Sequence, residues 1–205
     1  MRALLALSGA LSIAATAHAE RLIYLPMGDR YANSQVRIES IAELRTLKPR
    51  YTFVGFGFGN AFDAEVTLLS NIPGHREEGL LDLSYNYIPA IPDFGLGISV
   101  GVQDIADRSE AGRSFYFAIT QKTNNFDVGN ADTPTEITLG LGTGRYGGMF
   151  FGARLPITNV FRIVTEYDSH RPMVGLEIVP TENLTVRWLI RDRETLLGFS
   201  LSKRF

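Results

Sequence analysis

Cysteine is absent from the 205 residues, tryptophan occurs once and histidine three times. Without a thiol there is no disulfide framework, no thiolate metal site, no cysteine nucleophile and no lipid anchor through an N-terminal cysteine. An excess of one charge is missing too. The 20 Lys and Arg residues stand against 22 Asp and Glu, for a formal net charge of −2. No basic field draws nucleic acid, so none is expected as a partner. His and carboxylates never fall at metal-ligand spacing, and no metal or cofactor is expected. Beyond the first turns of sequence no apolar run approaches the ~20 residues of a spanning helix. A mature chain that enters a membrane must therefore do so as a closed barrel, the form that pairs every strand's backbone in lipid.

What is present begins with a targeting pattern. Arg2 gives a positive start, an apolar run extends from Ala3 to about Thr16, and Ala17-His18-Ala19 forms a small-x-small cleavage site before Glu20. Residues 1–19 read as a secretory signal peptide. The 20 Gly, 13 Phe and 8 Tyr residues favour strands and tight turns.

Period-two alternation then recurs to the C-terminus. Leu197, Phe199 and Leu201 oppose Gly198, Ser200 and Ser202; Val186, Trp188 and Ile190 oppose Arg187 and Arg191. Leu139 and Leu141 oppose Thr138, Gly140 and Gly142, and Leu81, Leu83 and Tyr85 oppose Asp82 and Ser84. Similar segments centre on residues 62–68, 94–103, 115–120, 161–167 and 174–178, with weaker ones near 35–43, 49–58 and 147–154. About 12 strands result, within a range of 10–14. One face is apolar and nearly uncharged, and the other carries Arg, Glu, Asp, Gly and Ser. That division predicts an all-β, antiparallel, up-and-down transmembrane barrel with lipid outside and a polar interior. Residues 35–205 form the barrel in this reading, and residues 20–34, which do not alternate, form a periplasmic or lumenal segment. The stretch from Lys122 to Pro134 is long for the end of the barrel to which counting assigns it.

An even strand count returns the C-terminus to the periplasmic end. Phe205 closes an alternating terminal strand, the signature read by the barrel-assembly machinery. Outer-membrane lipid is the other expected partner. Tyr85, Tyr87, Phe94, Tyr167 and Trp188 fit aromatic belts.

The inward phase collects Asp63, Glu65, Asp82, Glu136, Arg154, Arg162, Glu166, Asp168, Glu177, Arg187, Arg191 and Arg204. Of these, Asp82, Glu136, Arg154, Arg162, Glu166, Glu177, Arg187 and Arg191 form the candidate site. Two readings stand. They contact an anionic or sugar-rich polymer, or they pair with one another and fill a narrow lumen, as charges without water must. Pairing is the favoured reading. Gly95, Gly97, Gly101, Gly140 and Gly142 mark either open lumen or tight curvature.

Enzymatic signals are weak. His75 and His170 fall in surface loops, and Asp168-Ser169-His170 places neighbours on opposite sides of the backbone, against a relay. Gly142-Thr143-Gly144-Arg145 opens no helix and so lacks a phosphate-binding N-terminus. No catalytic residue is assigned.

Residues 78–205 resemble the YjbH-like outer-membrane proteins associated with exopolysaccharide operons. The likeness is carried by Leu80-Leu81-Asp82-Leu83-Ser84-Tyr85, by Pro92-Asp93-Phe94-Gly95-Leu96-Gly97 leading into Gly101-Val102-Gln103-Asp104-Ile105, and by Leu139-Gly140-Leu141-Gly142-Thr143-Gly144-Arg145. Thr165-Glu166-Tyr167-Asp168 and Leu197-Gly198-Phe199-Ser200-Leu201 follow in the same order. Tyr24-Leu25-Pro26 is similar more loosely. The chain is shorter than larger members, which carry a second barrel or periplasmic modules. The resemblance implies a non-enzymatic barrel that assists export or surface assembly of exopolysaccharide, with the polymer or its export proteins as partners. The other function classes open at this point are a general structural or passive diffusion barrel and an outer-membrane lipid-modifying enzyme.

Overall fold

The computed structural model describes residues 21–29, 31–59, 61–72, 76–124 and 131–205. The leader sequence 1–19 and His75 lie outside the described residues. Twelve strands follow in order: β1 Gln35–Glu43, β2 Pro49–Phe58, β3 Phe62–Leu69, β4 Glu78–Ile88, β5 Leu96–Gln103 and β6 Ser114–Thr123. They continue as β7 Thr135–Gly142, β8 Gly148–Pro156, β9 Phe161–Tyr167, β10 Pro172–Thr181, β11 Leu184–Arg191 and β12 Glu194–Arg204. Each pairs antiparallel with its chain neighbours, and β1 pairs with β12 to close the barrel. Closure runs from Gln35 opposite Arg204 to Glu43 opposite Leu196, so no edge strand is left unpaired.

The strands form where β-branched and aromatic residues alternate with small or polar ones, and they stop where the backbone must reverse. Several reversals use Asp or Asn in the left-handed region: Asn71 (φ 53°), Asp93 (φ 60°), Asp104 (φ 54°) and Asp192 (φ 55°). These short side chains tolerate that conformation better than most. Of the long stretch after Lys122, residues 125–130 lie outside the described residues, and its start is tied to the β4–β5 turn. Asp93, in the β4–β5 turn, accepts hydrogen bonds from the Asn124 backbone N–H (2.9 Å) and the Thr123 hydroxyl (3.0 Å). The Asn124 N–H leads in holding the Asp93 carboxyl below the usual carboxylate range.

Alternation sorts the side chains as lipid requires. Ile38, Phe56, Val66, Leu83, Val100, Leu139, Phe151, Val174 and Phe199 all face outward and are exposed. Among the described strand residues, Lys203 is the one exposed charge in the outward phase, since Arg50 of β2 shares that phase but is buried and paired with Glu43. Lys203 lies near the end of β12, 5.2 Å from the centre of the Phe205 ring. An apolar outer surface of this extent has no favourable partner in water, and a bilayer supplies one. Tyr85 and Tyr87 continue a ladder of outward rings from Phe58 and Phe62 at the end of the barrel that holds Gln35 and Arg204. Two members of the expected belts sit elsewhere. Phe94 lies in the β4–β5 turn rather than in a strand, and Trp188 falls midway along β11.

The interior is less polar than alternation alone predicts. Ile41, Phe53, Val164, Met173, Leu189 and Leu196 point inward and are buried. They lie towards the end of the barrel away from the chain termini. Apolar lumen walls need an apolar partner, and the chain supplies it from its own N-terminal segment.

Candidate functional site

Residues 31–34 enter the barrel at the end that carries Gln35 and Arg204, here the terminal mouth, and residues 21–29 lie further along the lumen towards the distal mouth. Ser34 starts the path, donating its N–H to the Gly57 carbonyl (3.0 Å). Tyr31 then donates its N–H to Asp63 (3.1 Å) and its hydroxyl to Glu65 (3.2 Å). Gly28 crosses β5 and β6, with its N–H on the Thr120 hydroxyl (2.7 Å) and its carbonyl accepting from Asn86 (2.9 Å). The contact with β5 is backbone on backbone. A Cβ on Gly97 would stand 2.0 Å from the Gly28 oxygen, so glycine is required there. Gly140 likewise receives the Phe150 ring. Gly101 and Gly142 likewise lie against the Tyr116 and Tyr146 side chains, so these glycines accommodate neighbouring groups, whereas Gly95, ahead of β5, meets open space.

At its top the segment turns back on itself. Leu22 donates to the Leu25 carbonyl (3.1 Å), and Arg21 bridges to Pro26. The turn presents three successive N–H groups, from Ile23, Tyr24 and Leu25, and all three donate to the Glu166 carboxylate at 3.1 to 3.4 Å. Successive backbone N–H groups make an anion-binding concavity, and here the anion is the barrel's own side chain. Leu22, Ile23, Tyr24 and Met27 cover the inward apolar wall, while Leu25 packs with Phe150, Tyr146 and Ala118. Burying one such side chain contributes about 1.5–3 kcal/mol relative to exposure. Arg191 caps the assembly at the distal mouth, 5.3 Å from the Tyr24 ring centre, and pairs with Asp168 at 2.6 Å.

The charges of the terminal half form one connected network across the wall and the segment. Arg37 pairs with Glu39, and Glu39 with Arg187. Arg187 reaches Glu177 at 2.8 Å, and Glu177 also meets Arg154 (3.3 Å) and Arg162 (3.4 Å). Arg154 pairs with Glu136, Glu136 with Lys122 (3.6 Å), and Lys122 with Asp29 of the segment. On the opposite wall Arg21 pairs with Glu65 and lies 3.8 Å from Asp82. In the low-dielectric interior each unpaired charge would be costly, and sharing carboxylates between guanidiniums offsets that cost.

Five of the candidate residues, Glu136, Arg154, Arg162, Glu177 and Arg187, thus meet in one network. Asp82 joins Arg21 on the other wall, Glu166 binds backbone instead of arginine, and Arg191 stands at the distal mouth. Arg204 is exposed at the terminal mouth. Sequence reasoning missed Arg37, Glu39 and Lys122, although the inward phase of Gln35, Arg37 and Glu39 carried the signal. It also missed Arg21, Tyr24 and Asp29, for which alternation offers none.

The loop groups suspected of catalysis are engaged otherwise. Ser169 donates its hydroxyl to the Met149 carbonyl, and His170 Nδ1 lies 3.2 Å from the Asp168 carbonyl oxygen. No group of three or more His, Cys, Asp or Glu suited to a metal ion occurs among the described residues. In the β5–β6 loop Asp104 is buried, which raises its pKa. The N–H groups of Arg108 (2.8 Å) and Ser109 (2.6 Å) outweigh that and hold it below the ordinary carboxylate range.

A closed barrel with an apolar exterior and an ion-paired interior is an outer-membrane β-barrel, located in the cell outer membrane. No protein-family model matches the sequence, and no curated protein matches it. Solved structures similar in fold include two of a porin. One is titled KdgM porin, with TM-score 0.47 and 12% identity over 83% of this chain and 99% of the porin. The other is titled KdgM porin in complex with disordered oligogalacturonate, with TM-score 0.48 and 14% identity over 83% and 98%.

Proposed function

We propose that this chain is a closed, non-enzymatic barrel of the YjbH-like kind that assists export or surface assembly of exopolysaccharide. The observation that supports it most is the filled lumen. Residues 22–25 are buried within the barrel, with the N–H groups of Ile23, Tyr24 and Leu25 on Glu166, which leaves little room for general passive diffusion. The exopolysaccharide assignment follows the sequence resemblance in residues 78–205. The engaged Ser169 and His170 side chains favour a non-enzymatic role over lipid modification. The expected cellular partners are outer-membrane lipid, the assembly machinery at the Phe205 strand, and the polymer or its export proteins.

Deleting the gene in its own host tests the reading. Surface and released polysaccharide are expected to fall, and the intact chain, the Ser169→Ala chain and the His170→Ala chain are all expected to restore them. Unchanged polysaccharide in the deletion strain removes the export role. Failure of either loop variant to restore it, with the barrel folded, revives the enzymatic alternative.

A further inference from the structure

We propose that a recess at the terminal mouth binds the carboxylate of an acidic saccharide through Arg162 and its neighbouring arginines. The recess is lined by Arg37, Arg154, Arg162 and Arg187, with Glu177 and Glu182 as its only acids among the described residues. It opens at the terminal mouth, because Gln35 starts β1, Ser202 lies near the end of β12, and Glu182-Asn183 forms the β10–β11 turn. The carboxylates around the arginines are shared unevenly. Glu177 is divided among three guanidiniums, Glu39 serves Arg37 and Arg187, and Glu136 is drawn to Arg154 and Lys122.

Arg162 is the least satisfied of the four. Its side chain is 5% exposed, and its ion pair to Glu177 is long, at 3.4 Å. Its Nε–H has no hydrogen-bond acceptor among the described residues. A guanidinium carries five donors, and buried donors are normally paired. A carboxylate entering from the mouth would supply two acceptor oxygens in the planar geometry that arginine matches.

The rim points to a saccharide carrier for that carboxylate. Asn183, Thr185, Ser200 and Ser202 surround the arginines with amide and hydroxyl groups. Ser200 accepts from Arg37 Nε (3.0 Å) and Ser202 from Gln35 (2.6 Å), so each hydroxyl keeps its proton for a ligand oxygen. Free phosphate offers negative charge without a sugar ring to carry hydroxyls to that rim. The inference deepens the export reading by giving the polymer a chemistry. It rests on that reading for where such a polymer comes from, while the recess itself stands on geometry.

The test is calorimetric titration of the folded, detergent-solubilised barrel with oligoglucuronate, a neutral oligoglucose of equal length, and inorganic phosphate. Oligoglucuronate is expected to bind, more weakly as salt rises, and in preference to both others. Arg162→Gln is expected to weaken it about tenfold, the value of one charge-assisted hydrogen bond. Arg171→Gln, on the β9–β10 loop at the distal mouth, should leave it unchanged. Heat-modifiable migration on a gel verifies that each variant is folded. Absence of oligoglucuronate binding, equal binding of the neutral oligomer, equal binding of phosphate, or full affinity in folded Arg162→Gln each overturns the proposal. Lost binding alongside a polysaccharide defect sinks the recess and leaves the export role. Retained binding with unchanged polysaccharide does the reverse.

Discussion

Glu177→Gln is expected to destabilise the folded barrel by about 3–5 kcal/mol, because it leaves buried arginines without their shared counter-ion. Glu177 is 1% exposed and lies within ion-pair distance of Arg154, Arg162 and Arg187. Glutamine keeps the shape and one acceptor oxygen but removes the charge. The three guanidiniums then face one another across a low-dielectric lumen, with Glu39 and Glu136 as the remaining acids. A second substitution that removes one of the stranded charges, Arg162→Gln, should recover part of the loss. Of the three arginines it has the longest contact with Glu177, at 3.4 Å, and no other ion pair among the described residues. Urea unfolding from lipid vesicles measures both variants. A loss below about 1 kcal/mol for Glu177→Gln, in the range of an exposed pair, would mean that the network is hydrated and contributes little.

Releasing the lumenal segment should have the second large effect, on permeability. Glu166→Ala removes the acceptor for three N–H groups at once, and each charged hydrogen bond contributes about 1.5–3 kcal/mol, without simple additivity. The turn at residues 22–25 then keeps its apolar packing but loses its anchor. Deletion of residues 21–34 removes both, and it exposes Ile41, Phe53, Val164, Met173, Leu189 and Leu196 to water in the lumen. In planar bilayers the intact protein should show little steady current. The deletion should raise mean conductance on the order of tenfold, since a twelve-strand lumen without its filling admits water. Glu166→Ala should flicker between the two levels. Equal conductance in all three proteins would mean that the segment does not occlude the pore.

The barrel was legible because lipid imposes a strict rule on sequence. Each strand must alternate, and Leu139 and Leu141 against Thr138 and Gly140 state the rule without ambiguity. The strand count and the inward direction of Glu136, Arg154, Glu177 and Arg187 follow from the same period. The lumenal segment obeys no such rule. Residues 21–29 and 31–34 meet barrel walls on several sides and follow no repeating pattern, so apolar and polar groups occur wherever a wall partner happens to be. Yet the wall carried a trace of it. Val164 sits in the polar phase of β9 between Arg162 and Glu166, and Leu189 does the same in β11 between Arg187 and Arg191. An apolar side chain in an otherwise charged inward row requires an apolar occupant in the lumen. Glu166 was legible as inward but not as a backbone ligand, because its partners lie more than 140 residues away in sequence.

The most direct test uses the chain's lack of cysteine. Ile23 is fully buried against the lumen wall. An Ile23→Cys variant, folded into vesicles, is treated with a membrane-impermeant maleimide, with Arg171→Cys on the distal loop as the reactive reference. Residue 23 should stay unlabelled until the barrel is unfolded, while residue 171 reacts at once. Labelling of residue 23 in the folded protein at the rate of residue 171 would place the segment outside the lumen and contradict a barrel closed by its own N-terminal chain.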